Sequence, residues 1–531
     1  MEYNLGVIDI SVLVLYFIFI VWFGIRSSKK GSDSTSDYFL AGRNMTWPVI
    51  GFSLFAASIS STTLIGKSGD AYSTGIAVFN YDLISVLVMV FFAMFFLPFY
   101  IKSGIFTIPE FLEKRFDKRS RYYFSFITLM GSTFLDAAGA LYAASLLMKL
   151  VFPSLSIMEL SVIFAVIVAA YTIPGGLSAA IKVDLIQGIL LLVGTFILTF
   201  LAMRNGGLEH LKELLLNEDM MMKLIRPLDD PSVPWLGMIV GIPILGFYFW
   251  GNNQVLVQRV LTAKSIDHGR KGILLVGFLT VSLIFIIIFP AVIGKHLFPG
   301  LPKNDMVYPK LVIELMPIGL LGLMLAAMVA ALTSTLSALL NSVATLFTMD
   351  FYVKFKKEPS QKEQVYVGKI VSVIVLILAV LWVPFVSKFD SLLKYYQEML
   401  TYIAPPVVAV FFLGVFWKRI NKHGAFWGLI AGAFAAIATI VAKVGFNHEL
   451  LGSIHFLLKV PFYFVFSAVV IIIVSLLSKP DDKTQIEDLI WTKKIYHEET
   501  KELEGVPFYK NFRVWSLILI AFCFIVLYMY Q

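Results

Sequence analysis

The amino-acid sequence predicts an all-α polytopic membrane protein, with fourteen transmembrane helices and a five-plus-five inverted-repeat core in which the first helix of each repeat is broken. Three observations lead there. The 531 residues are 58% hydrophobic and 15% charged, with mean hydropathy +0.83, whereas a soluble domain is roughly 45–50% apolar and about 25% charged. Apolar stretches of about 20 residues, enough to cross a hydrocarbon core, recur along the whole chain. Two of them are interrupted as transporter half-helices are.

The fourteen stretches are 8–25, 46–72, 76–101, 122–150, 157–173, 184–203, 234–256, 272–294, 313–350, 368–387, 391–416, 424–443, 455–478 and 514–530. No basic region precedes the first and no small-residue cleavage site follows it, so it reads as a span and not a cleaved signal peptide. The 313–350 stretch is too long for a bilayer and must project beyond it. The chain reads as a single lipid-embedded transporter domain, 1–531. An extra N-terminal helix (8–25) precedes a first repeat (46–203) and a second (234–416). Three C-terminal helices follow in 424–531, with a charged loop at 479–513.

Orientation follows from lysine and arginine in the loops. Alternate loops carry 30 of the 43 basic residues, among them Lys114/Arg115/Arg121, Arg259/Arg270, Lys354/Lys356/Lys357 and Lys418/Arg419/Lys422. That side is predicted to be cytoplasmic, which puts both termini outside, in a cell membrane. The net charge of +8 is thereby a topology signal and no sign of a nucleic-acid partner. The single cysteine, Cys523, lies in the last apolar run, so no internal disulfide forms.

Within the second stretch, SISSTTLIGKSGD (58–70) sets six hydroxyls and Lys67 at membrane depth. Gly66-Lys67-Ser68 looks like the end of a phosphate loop, but Ser61 stands where its first glycine belongs and no strand precedes it. Nucleotide binding is not expected. In lipid, irregular backbone survives only where it is buried in protein or lines a cavity, and paired broken helices at the midplane hold ion and substrate in secondary transporters. The seventh stretch, PWLGMIVGIPILGFYFWGNN (234–253), has the matching interruptions: Pro234, Gly237, Gly241, Pro243, Gly246 and Gly251. Sodium suits such a place, being a hard cation that takes oxygen ligands. The ninth stretch adds hydroxyls in AALTSTLSALLNS, with Ser334 and Ser337 on one face. Small hydroxyl residues also let helices pack closely, and both readings stand at this level.

At these residues the chain resembles the solute:sodium symporter family, and within it the sodium/sugar cotransporter branch. YTIPGGLSAAIKVDLIQ (171–187) is similar to one family signature and GVFWKRINKHGAFWGLIAG (414–432) to a second. DYFLAGRNM, FTIPEFLEKRF, QRVLTAKS and NSVATLFTMDFY are family-like too, so the resemblance runs to about residue 442. It implies sodium-coupled uptake, with Na+ held by the carbonyls of Ala56, Ile59 and Ala331 and the hydroxyls of Ser334 and Thr335. Asp184 falls where an acid assists sodium release. A second sodium in some members uses that acid and two serines, for which this chain has Ser337 but Ala338.

For the solute, the resemblance implies ligands at Asp82, with Ser85 one turn on, and at Gln397, beneath aromatic faces at Phe249 and Trp250. Aromatic faces with carboxylate and amide acceptors suit a carbohydrate. The pattern is only half kept. Thr62 and Thr63 stand where larger polar groups are usual, Gly246 replaces an asparagine and Thr280 a lysine. Ser58, Ser60 and Thr63 are more similar to the sialic-acid-transporting branch, but Asp136 stands near the place of that branch's arginine and would repel an anion. Lys67 is expected either to contact solute or to form a gate or ion pair with Asp70, Asp82 or Asp136, since charges within spans are costly unless paired or functional.

The expected function is sodium-coupled import of a small polar solute, most simply a sugar or sugar-like compound; a sugar acid, polyol or carboxylate is the alternative. No nucleophile–base arrangement supports an enzyme. A transporter-like sensor would need a signalling domain after the thirteenth span, and a channel would need a repeated carbonyl filter.

Overall fold

A computed structural model describes residues 6–28, 35–59, 62–217, 219–387, 392–446, 451, 454–482 and 486–531. Among them, eleven helices are long and apolar enough to cross a bilayer. Shorter apolar helices at Val7–Ile20, Trp47–Ser58 and Ile157–Ile173 stand at the first, second and fifth stretches. The described residues contain no strand, only two isolated bridges.

Burial sorts the helices into an inner and an outer set. The apolar window of Leu320–Phe355 is 94% buried and that of Thr63–Phe95 is 89% buried, against 28% for both Phe456–Leu477 and Phe512–Met529. The outer helices turn rings and branched chains outward, among them Phe434, Phe462, Leu517 and Ile525, as a lipid-facing surface requires. Where Lys422–Phe446 crosses Phe456–Leu477, a Cβ on Gly424 would lie 1.9 Å from Ser475 Oγ and one on Gly428 2.2 Å from Ile471 Cγ1. This glycine pair, four residues apart, allows the backbones to approach.

Both anticipated interruptions are present. Trp47–Ser58 and Lys67–Thr74 flank the first, while Ile242–Phe247 and Gln254–Val260 flank the second, where Asn253 is extended (φ −72°, ψ 119°). The two broken segments meet: Met45 N–H donates to Thr262 O (2.9 Å) and Lys264 N–H to Met45 O (3.1 Å). His268, just beyond, accepts the Trp47 N–H at Nδ1 (3.0 Å) and so caps the first broken helix.

Two boundaries differ from the sequence reading. The ninth helix starts at Leu320, after Gly319 at φ 84°, and Val307–Leu315 is a separate helix. Its excess length therefore lies beyond residue 346, in the wide turns Phe347–Tyr352. The fifth and sixth stretches belong to one helical run, Ile157–Ala202, which if straight would be about 69 Å long. Yet Thr172 and Asp184 reach Ser337 and Ser334, less than one turn apart on the same helix, so the run's two portions lie beside that helix together.

Several arginines counted as loop charges are structural. Arg121, 3% exposed, donates to Asp350 Oδ1 through Nε (3.0 Å) and Nη2 (2.5 Å). Thr107 Oγ1 donates to the same oxygen (2.7 Å) and Ser125 to Oδ2. This cluster ties Ile108–Arg115 and Lys118–Gly131 to the end of the ninth helix. Removing one partner of a buried pair typically costs about 3–5 kcal/mol, whereas an apolar replacement of both is often neutral. Asp350→Ala is expected to lower the thermal midpoint of the detergent-solubilised protein sharply, and Arg121→Met with Asp350→Leu to recover most of it; an unchanged midpoint in Asp350→Ala would show that the cluster does not hold this end together.

Candidate functional site

The first interruption is made by residues that bond back to the chain. Ile59 leaves the helix at φ −80°, ψ 78°. Ser58 Oγ donates to Phe55 O (2.8 Å) and Thr63 Oγ1 to Ser58 O (3.0 Å). Such side-chain-to-backbone bonds compete with the helical ladder, and a helix end frees carbonyls that a continuing helix would use. Ala56 and Ile59 stand at this end, 2% and 1% exposed. Ser60 and Ser61 lie outside the described residues, as does the side chain of Thr62. Helical turns resume at Thr62–Gly66 in a wide form and continue as Lys67–Thr74.

The Leu320–Leu346 helix packs against Trp47–Ser58, and it carries Ala331, Ser334, Thr335 and Ser337, all buried. Thr335 Oγ1 donates to Ala331 O (3.1 Å), while Ser337 Oγ receives the Thr172 hydroxyl (2.7 Å). Ser334 Oγ donates to Asp184 Oδ1 (2.5 Å). The other oxygen of Asp184 accepts Arg259 Nη2 (2.7 Å) and, more weakly, Ser53 Oγ (3.4 Å); Arg259 Nε donates to Ser53 Oγ (3.1 Å). Thus four buried side chains from four segments form one cluster beside the interruption. Arg259 and Ser53 are the members of this cluster that the sequence reading missed, Arg259 having been counted with the loop cations. Two signals pointed to Arg259: a carboxylate at membrane depth needs a cation, and Arg259 lies in the half-helix Gln254–Val260 just after the second interruption.

Ser58 and Thr63 of the interruption also line a cavity. Its wall brings together Ser58, Thr63, Lys67, Asp82, Ser85, Phe249, Trp250 and Gln397, joined by Gly246, Thr280 and two tyrosines, Tyr81 and Tyr396. Lys67 takes Asp82 among its three possible acids, with Nζ 2.5 Å from Oδ1. Asp82 Oδ2, Gln397 Oε1 and Thr280 Oγ1 are buried without any hydrogen-bond partner. Since buried polar atoms are nearly always paired, three such atoms around one cavity mark where a ligand or water must bond. The Phe249 and Trp250 rings stand perpendicular with centroids 5.3 Å apart. Asp136 is not on the wall. It accepts the hydroxyl of Tyr396 and so stands behind a residue that is.

Comparison with known proteins identifies the family. The model of the Sodium:solute symporter family matches residues 38–432. Sodium/glucose cotransporter 1 of Oryctolagus cuniculus is 33% identical, covering 94% of this chain and 83% of that protein. Solute carrier family 5 member 4 of Rattus norvegicus is also 33% identical, over 94% and 82%. In architecture the chain is similar to a Na+-coupled sialic acid symporter solved in a substrate-bound, outward-open state, with a TM-score of 0.78, 24% identity, and coverage of 90% of this chain and 99% of that one. The chain belongs to the sodium:solute symporter family.

Proposed function

We propose that this symporter carries a neutral, hydroxyl-rich solute of the sugar class together with sodium. The observation that carries the reading is the set of three unpartnered oxygens, Asp82 Oδ2, Gln397 Oε1 and Thr280 Oγ1, on residues that line a cavity together with Phe249 and Trp250. Hydroxyl groups donate to such acceptors while a sugar ring's apolar face lies on an aromatic plane. The names of the 33%-identical relatives, sodium/glucose cotransporters among them, support the same class. An anionic solute is disfavoured, because Lys67 is already committed to Asp82 and a carboxylate would meet that acid's free oxygen.

In this reading sodium sits between the carbonyls of Ala56, Ile59 and Ala331 and the hydroxyls of Ser334 and Thr335. Neutral oxygens satisfy it without holding it too tightly. Asp184, one hydrogen bond away through Ser334, then draws the ion onward, while Arg259 balances the acid when the ion has left. Ser337 stands below with its hydroxyl engaged by Thr172, which leaves a second sodium without a full ligand set. Ser58 and Thr63, at the interruption and on the cavity wall, border both ion and solute, and Thr62, whose side chain lies outside the described residues, is assigned to the solute with them. Asp136 acts on solute through Tyr396. The basic loops face the cytoplasm and both termini lie outside the cell membrane. One sodium moving through 100 mV gains about 2.3 kcal/mol, roughly 50-fold accumulation of a neutral solute.

Ser334→Ala and Thr335→Ala are each expected to raise the sodium concentration for half-maximal uptake in proteoliposomes at least about tenfold, the loss of one charge-assisted contact; sodium dependence identical to wild type would refute the ion site. The solute class is checked by thermal shift against sugars, polyols and sugar acids in sodium and in choline, with stabilisation by neutral sugars in sodium expected and stabilisation by acids alone contrary to the reading. A double-mutant cycle of Lys67→Met and Asp82→Asn should show coupling of about 1–3 kcal/mol in solute affinity. Additive losses would separate the ion pair from solute binding.

A further inference from the structure

The first helix, Val7–Ser28, stands outside the two repeats, yet it packs against both Ile157–Ala202 and Leu320–Leu346. Those two segments hold Asp184 and Ser334. At the helix's start Asp9 is 1% exposed, although it is the one carboxylate of the segment. Its Oδ1 accepts two backbone N–H groups of the ninth helix, from Gly319 and Gly322, each at 2.8 Å. Gly319 carries no side chain to cap that helix and sits at φ 84°, so without Asp9 the buried Gly322 N–H and the half-buried Gly319 N–H would lose their partner. The approach is close enough to demand glycine, for a Cβ on Gly322 would lie 2.5 Å from Asp9 O and 2.6 Å from its Cα.

We propose that Asp9 is a positioning residue for sodium: by clamping the N-terminus of the Leu320–Leu346 helix, it sets the height of Ser334 and Thr335 against Asp184 and the interrupted second span. The carboxylate suits the task because a helix N-terminus carries partial positive charge. It also lies in the first turn of its own helix, so two helix ends share one acid. The rest of the first helix completes the strut, with Leu13, Tyr16 and Ile20 buried on its inner face. From Gly322 to Ser334 is about 18 Å along the axis, within a helix whose apolar window is 94% buried. Such a rod moves as a unit, so an axial shift at its N-terminus would carry Ser334 with it relative to Asp184, to which it donates. The helix outside the repeats is thereby part of the ion machinery.

This inference rests on the sodium site proposed above, and the test separates the two. The readout is thermal stabilisation of the purified full-length protein by sodium chloride against choline chloride, which needs no knowledge of the solute. Asp9→Ala is expected to raise the half-stabilising sodium concentration about tenfold, and Asp9→Asn, which keeps an acceptor but loses the charge, by less. Gly322→Ala pushes the same two segments apart without touching the charge and is expected to act in the same direction; it keeps the test open should the Asp9 variants fail to fold. A lower thermal midpoint in both salts with an unchanged sodium half-point would mean that Asp9 merely holds the fold, and would overturn the proposal. Loss of the sodium effect in wild type would overturn the ion site itself.

Discussion

The constraint behind this structure is that a backbone group in hydrocarbon must find its hydrogen bond inside the protein. A helix can be broken at membrane depth only where other segments surround the break. The first interruption, at Ile59, is enclosed by the ninth helix and the Ile157–Ala202 run, and the second, at Asn253, leads directly to Arg259. Beside the first break, Ser53, Asp184, Arg259 and Ser334 answer one another's charge and hydrogen-bonding needs in the same buried region.

Around this centre the other helices divide the labour. The inner set is mostly buried and carries hydroxyls, amides and carboxylates, many of them bonded to one another or lining the cavity. The outer set presents Phe, Leu and Ile to lipid and fixes its crossings with glycine, as at Gly424 and Gly428. Charges that look like ordinary loop cations serve as internal staples, because a guanidinium supplies several donors in a fixed fork. Arg121 on Asp350 and Arg259 on Asp184 join segments far apart in the chain.

The cavity shows how one ion pair can shape a neutral binding site. Lys67 occupies one oxygen of Asp82 and leaves the other free. The acid therefore stays a strong acceptor without presenting a net negative charge. The same lysine that resembles part of a phosphate loop is committed to that carboxylate.

The fold class was legible in the sequence because it rests on local quantities: apolar length, loop charge and the polar run 58–63 are read residue by residue. Asp82, Gln397, Phe249 and Trp250, expected as solute ligands from the family resemblance, line one cavity. What the sequence could not determine is pairing across distance. Lys67 had three acids to choose from, Arg259 read as a loop charge, Asp136 stood in for a wall residue that proved to be Tyr396, and Asp9 belonged to a helix with no assigned role. Each of these depends on which segments touch, and in a bundle of similar apolar helices composition carries no address. Only tertiary packing decides it, because a buried charge is stable solely beside the partner that the packing brings to it.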